Sequence, residues 1–111
     1  MDTRKNDILQ GTLALLVLKT LAARGRLHGY AITAHIRQAS DALLRVEEGS
    51  LYPALQKLLI KGWVKAAWRR SETGRQVREY RITPAGRRQL ESEMAEYRRT
   101  ARAIDLVLDH A

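Results

Sequence analysis

The sequence predicts a mainly α-helical chain that carries one small β-hairpin and ends in a long helix. Three observations lead there. Apolar residues recur at helical spacing in three stretches before Gly62. A strict alternation follows Gly62 and is interrupted by a polar, glycine-containing loop. Beyond Thr83-Pro84, apolar positions four and three residues apart run almost to the end of the chain. With 111 residues the chain forms one compact unit, enough for a modest core but not for two. Within it, residues 1–83 are expected to form the body and 84–111 a C-terminal helix that mediates dimerisation.

The first helix is expected over Ile8 to Ala23, with Asp7 as its cap and Gly25 as its stop. Its run Leu13 to Leu18 is apolar all round, so two of its sides must be covered. One side belongs to the core. The other is free for a second subunit, which makes Leu13, Leu16 and Val17 candidate interface residues. Gly25 to Gly29 reads as a turn into a second helix, Tyr30 to about Ala39, with Ile32 and Ile36 facing inward. Ser40-Asp41 breaks it, and Ala42 to Val46 leads on to the third helix. Two short helices joined this way form a helix-turn-helix arrangement.

The third helix, about three turns long, carries Leu51, Ala54, Leu55, Leu58 and Leu59 on its core face. Gly49 or Ser50 is expected to cap it, Pro53 to fall in its first turn, and Gly62 to end it. The opposite face presents Pro53, Gln56, Lys57 and Ile60, with Ser50 and Tyr52 at the leading edge. Gln can pair with adenine, Lys can reach guanine or phosphate, and Ser and Tyr can reach phosphate. An amphipathic helix with a merely solvated outer face is the alternative for this stretch.

Val64, Ala66 and Trp68 alternate with Lys65, Ala67 and Arg69 to give one strand. Arg78, Tyr80 and Ile82 mark one face of the next, beyond the loop Ser71 to Arg75. Arg69, Arg70, Arg75 and Gln76 cluster at the tip, suited to phosphates or a minor groove. A hairpin edge protected by charge against aggregation is the alternative. Thr83 then caps a last helix that opens with Pro84 and runs to about Asp109. Leu90, Met94, Tyr97, Ala101, Ile104 and Leu108 form a heptad seam along it. A helix of ~38 Å overshoots so small a body, so the seam is expected to pair with a second copy of the chain.

Twenty Lys and Arg against twelve Asp and Glu leave a net charge of +8, which favours a polyanionic partner. Between Lys65 and Arg88, eight basic residues face only Glu72 and Glu79, so this segment holds +6 of that charge. With no cysteine, disulfides, thiolate chemistry and cysteine metal sites are excluded. The longest apolar run is too short for a bilayer, which needs ~20 residues, and a cytoplasmic location is expected. His28, His35 and His110 fall at no spacing that matches a metal site or a nucleophile triad. An enzyme, a metal and a cofactor are therefore not expected. His28 is better placed to cap a helix.

The order helix, helix, helix, basic hairpin, long helix is that of a winged helix-turn-helix with a C-terminal dimerisation helix. Five stretches carry a more specific likeness: Leu9 to Leu13, Leu27-His28-Gly29-Tyr30, Glu48 to Leu55, Gly62-Trp63-Val64 and Tyr80 to Gly86. In order and separation they resemble the PadR family of bacterial transcriptional regulators, in its short form with a single C-terminal helix. The resemblance implies a homodimeric repressor bound to double-stranded DNA at a palindromic operator. It implies Tyr30, Ser50, Tyr52 and Lys57 at phosphates, Gln56 near bases, and the wing arginines Arg69, Arg70, Arg75 and Arg78 at the flanking backbone. Many relatives respond to a small aromatic or drug-like effector between the long helices, for which Trp63, Met94 and Tyr97 are the candidates here; core packing is the alternative for each. Independently, helix starts at Gly29 and Gly49 can aim N–H groups at phosphates, since neither glycine has a side chain in the way. A winged-helix module that binds protein or RNA without reading duplex DNA is the rival function.

Overall fold

The computed structural model describes residues 3–110, with side chains from Thr12 onward. Four helices and three short strands follow in the order α1 (Thr3–Arg24), β1 (Leu27–His28), α2 (Gly29–Ala39), α3 (Glu48–Ile60), β2 (Val64–Arg70), β3 (Gln76–Ile82) and α4 (Pro84–His110). The architecture is the expected one, mostly helical with a small antiparallel sheet.

Leu13, Val17, Leu18 and Leu21 of α1 form the centre of the core. Around them pack Ile32 and Ile36 of α2, Leu51, Leu55 and Leu58 of α3, Val64, Tyr80 and Ile82 of the sheet, and Leu90 of α4. The all-round apolarity of α1 is thus largely used within its own chain: Ala14, Leu15 and Leu16 are half-buried and pack against the same core. α1 begins at Thr3, so Asp7 is an interior position rather than the expected cap; its side chain lies outside the described residues.

The sheet has a strand the sequence reading took for a turn. Leu27 and His28 pair with Tyr80 and Glu79, giving the order β1-β3-β2. Two residues are too few to show any alternation, and only the pairing reveals them. β2 and β3 align from Val64 opposite Ile82 to Arg70 opposite Gln76. Val64, Ala66, Trp68 and Arg70 therefore share the face that begins in the core, and Lys65, Ala67 and Arg69 share the outer one.

α3 starts earlier than expected. Its N-cap is Glu47, which makes no side-chain capping bond, in place of Gly49 or Ser50. Pro53 consequently lies in the second turn, where it leaves the Gly49 carbonyl without its helical donor. Gly49 is exposed, so water can take that place. The helix ends as anticipated: the N–H of Gly62 donates to Leu59 O at 3.0 Å and that of Trp63 to Leu58 O at 3.0 Å. This paired closure needs a left-handed residue, and Gly62 supplies it at φ +75°.

α4 is bolted to that same corner. The Thr83 hydroxyl donates to the Gly62 carbonyl at 2.7 Å and accepts from the Gly86 N–H at 3.0 Å, while the Thr83 N–H donates to Trp63 O at 3.0 Å. Gly86 packs so closely that a β-carbon there would lie 2.1 Å from the Trp63 oxygen. From this root α4 runs past α1 and gives the molecule its longest dimension, 57 Å against 34 and 22 Å. Among the described residues no helix is long and apolar enough to cross a membrane, and no group of three or more His, Asp or Glu is placed to hold a metal ion.

Candidate nucleic-acid interface

Burial of Leu51, Leu55 and Leu58 turns one stripe of α3 outward. Gly49, Tyr52, Pro53, Gln56, Lys57 and Ile60 are all exposed along it, at the spacing of successive turns. The stripe has two flanks. On one, half-buried Ser50 joins Pro53, Lys57 and Lys61 around a groove of about 260 Å³ whose floor is Leu13, Ala14 and Trp63. On the other, Tyr52 leans towards α2 and the hairpin.

The start of α2 is set by His28, whose extended backbone lets its Nδ1 accept the Ala31 N–H at 3.1 Å. The expected capping role is correct, and it requires the imidazole proton on Nε2. Gly29 does not behave as expected. It is buried beneath the Tyr52 phenol, whose oxygen would lie 2.6 Å from a β-carbon at this position. The missing side chain seats Tyr52 rather than opening the backbone to a phosphate. Gly49, with nothing within 4 Å of its β-carbon position, remains open to approach.

Tyr52 belongs to the α3 stripe and also to a cleft of about 730 Å³ between the helices and the hairpin. His28 and Tyr30 form the helix wall beside it; Trp68, Arg75 and Arg78 form the hairpin wall. Tyr30 is 71% exposed, Trp68 66% and Tyr52 45%. Burial first, then the Glu48 carboxylate and Tyr80, raise the Tyr52 pKa above the ordinary phenol value. Its hydroxyl is therefore a proton donor at neutral pH, suited to an anion.

The hairpin turn closes by a bond from the Ser71 N–H to Arg75 O at 2.7 Å, with Gly74 at φ +85°. The basic residues divide between the two faces. Arg78, opposite Trp68, and Arg70, opposite Gln76, stand on the cleft side, and the Arg78 guanidinium lies 5.7 Å from the centre of the Tyr80 ring. Arg69 stands on the outer face, where its Nε lies 3.0 Å from Glu79 Oε1. Of the nine residues expected at DNA, Tyr30, Tyr52, Arg75 and Arg78 line one cleft, and Arg70 shares its face. Gln56 points outward from α3, Ser50 and Lys57 occupy its far flank, and Arg69 faces away. Sequence reasoning missed Trp68. Its alternation with Val64 and Ala66 reads as core, although the strand has left the body by that point.

The expected dimer residues fall into three groups. Leu13, Val17 and Leu90 are filled by their own core; Leu16, Met94 and Ala101 are half-buried; Tyr97, Ile104 and Leu108 are exposed. Leu106 and Val107 are exposed on the same distal part of α4. Among the described residues the effector candidates line different spaces. Trp63 lines the α1–α3 groove with the Lys61 ammonium 5.0 Å from its ring, Met94 packs against the core, and Tyr97 lines a space of about 240 Å³ between α1 and α4 with Leu15 and Glu93.

Comparison with known proteins decides the family. The profile described as the transcriptional regulator PadR-like family matches residues 17–92, which run from the middle of α1 through the hairpin into α4. The chain belongs to the PadR-like family of transcriptional regulators. The family is one of regulators, not enzymes. A solved transcriptional regulator from Clostridium thermocellum is 30% identical, with a TM-score of 0.81 over 89% of this chain and 95% of that one. An uncharacterized 37.1 kDa protein in a transposon of Streptomyces fradiae is 49% identical over 79 residues, 71% of this chain. The matched residues span about a fifth of that protein's length (21%). Bacillus subtilis PadR, solved in complex with operator DNA, shares the fold at 24% identity and a TM-score of 0.66, over 75% of this chain and 47% of that one.

Proposed function

We propose that this PadR-like chain is a sequence-specific DNA-binding regulator that acts as a homodimer on a palindromic operator and represses transcription. One observation carries the reading: Tyr52 belongs at once to the outward stripe of α3 and to the cleft walled by the cationic face of the hairpin. A duplex whose major groove receives α3 thereby brings a neighbouring backbone strand into the cleft. Gln56 is the residue placed to read a base edge, with Lys57 beside it. Tyr30, Tyr52, Arg70, Arg75 and Arg78 hold phosphates. The exposed seam of α4 supports pairing with a second copy, which would set two α3 helices about one DNA turn apart, ~34–36 Å. A small aromatic or drug-like effector would meet that seam at the space under Tyr97.

Fluorescence anisotropy tests this with two labelled duplexes across a salt series, one from upstream of the protein's own gene and one a shuffled version. The native duplex should bind at least ~10³-fold more tightly. Gln56→Ala should narrow that preference. Arg75→Ala should weaken both duplexes alike and lower the salt slope by about 0.9. No duplex binding at low salt would overturn the reading in favour of a module that binds protein or RNA.

A further inference from the structure

Three large aromatic side chains are exposed around the wing cleft, and two of them carry a hydroxyl that suits a phosphate. Trp68 does not. Its indole offers a single N–H and a broad apolar face, and it is still 66% exposed. It is no accident of a frayed strand, because β2 and β3 remain paired through Arg70 opposite Gln76, two residues farther out. The face that holds Val64 in the core continues outward through half-buried Ala66 to Trp68 and then to Arg70. Across the ladder, Trp68 lies directly opposite Arg78. The apolar face of Trp68 thus stands across the ladder from Arg78, with Arg70 on the same strand face about 7 Å farther out.

A DNA backbone strand has the complementary composition, with anionic phosphates separated by deoxyribose rings whose edges are largely C–H. We propose that Trp68 packs its indole on a deoxyribose of the strand held in the wing cleft, while Arg78 and Arg70 take the phosphates on either side. Trp68 then supplies a non-ionic share of the wing's grip and fixes where along the backbone the two arginines engage. This rests on the DNA-binding reading above. It adds a contact that charge alone would not reveal, since an indole releases no counterions and leaves the salt dependence untouched.

The experiment compares the full chain, Trp68→Ala, Trp68→Phe and Arg78→Ala on the native-sequence duplex across a salt series. Circular dichroism and melting temperature confirm that each variant keeps its fold. Trp68→Ala should weaken binding about tenfold at every salt concentration with an unchanged slope, as loss of an aromatic nucleic-acid contact does. Trp68→Phe should recover most of the loss, and Arg78→Ala should instead lower the slope by about 0.9. A second readout uses Trp63→Phe, which leaves Trp68 as the sole tryptophan; its emission should change on adding duplex. If the full chain binds but Trp68→Ala binds equally well, or the lone Trp68 emission does not respond, the sugar contact is wrong and the DNA reading stands. If Trp68→Ala lowers the salt slope as Arg78→Ala does, the indole acts only by placing arginines, and the proposal falls. If the full chain binds no duplex, both readings fall together.

Discussion

The phenol of Tyr52 covers Gly29 so closely that the position tolerates no β-carbon without displacing it. Its partial burial, reinforced by Glu48 and Tyr80, raises its pKa above the ordinary phenol value. The protonated phenol is favoured in the folded chain, so its contribution is complete below the ordinary phenol pKa and is lost as pH rises through the raised value. Beside a phosphate the consequence is larger, because a phenolate would put negative charge against negative charge. Duplex affinity of the unmodified chain should therefore fall on the alkaline side more steeply than that of Tyr52→Phe, measured by anisotropy from neutral pH upward. All other titrating groups are common to both proteins, so the difference between the curves reports Tyr52 alone. Curves that stay parallel would remove Tyr52 from the phosphate site.

Elements show where a sequence is legible and where it is not. The outward stripe of α3, the stop at Gly62 and the cap at Thr83 could all be read from residue type and spacing, because each rests on a local rule. Pro53 could not be placed: proline suits a first turn, but here α3 gains a turn upstream from Glu48, where no strong capping residue marks the start. β1 is two residues long and exists only through its partner strand. Asp41 and Ala42 adopt φ of 53° and 63° without a glycine to announce it, held by the Ala42 N–H bond to Arg37 O at 2.7 Å. Arg69 and Arg70 are neighbours in sequence, yet the strand sends them to opposite faces. The site's composition was thus legible and its sidedness was not. Gly86 gives a sharp test at this scale. A glycine inside an open helix gains ~1 kcal/mol on changing to alanine, but at Gly86 the new carbon would strike the Trp63 carbonyl. Gly86→Ala should instead destabilise by roughly 1–3 kcal/mol, lowering the melting temperature by about 4–8 °C per kcal/mol. Gly49→Ala, in open space, is the control and should not lower it. A Gly86→Ala protein that melts at or above the parent would disprove the contact.

At the scale of the whole molecule, α4 sets the proportions. Its proximal half is anchored by Leu90 in the core, whereas its distal half exposes Tyr97, Ile104, Leu106, Val107 and Leu108. So much uncovered apolar surface on one projecting helix fits an interface rather than a solvated end. Ile104→Glu combined with Leu108→Glu should turn the proposed dimer into a monomer in sedimentation experiments while preserving the helical spectrum of the body. Loss of the paired state should also weaken binding to a two-site duplex by ~10²-fold or more, as bivalency is lost. A double variant that still sediments as a dimer would place the interface elsewhere. The knot at Gly62, Trp63, Thr83 and Gly86 gives this arrangement a mechanical consequence. α3 ends, the hairpin begins and α4 departs from one hydrogen-bonded corner. In a dimer paired through its far end, as proposed, α4 would act as a lever arm of ~40 Å. A tilt of about ten degrees at its far end would move the attached head by ~7 Å, a fifth of a DNA turn of ~34 Å.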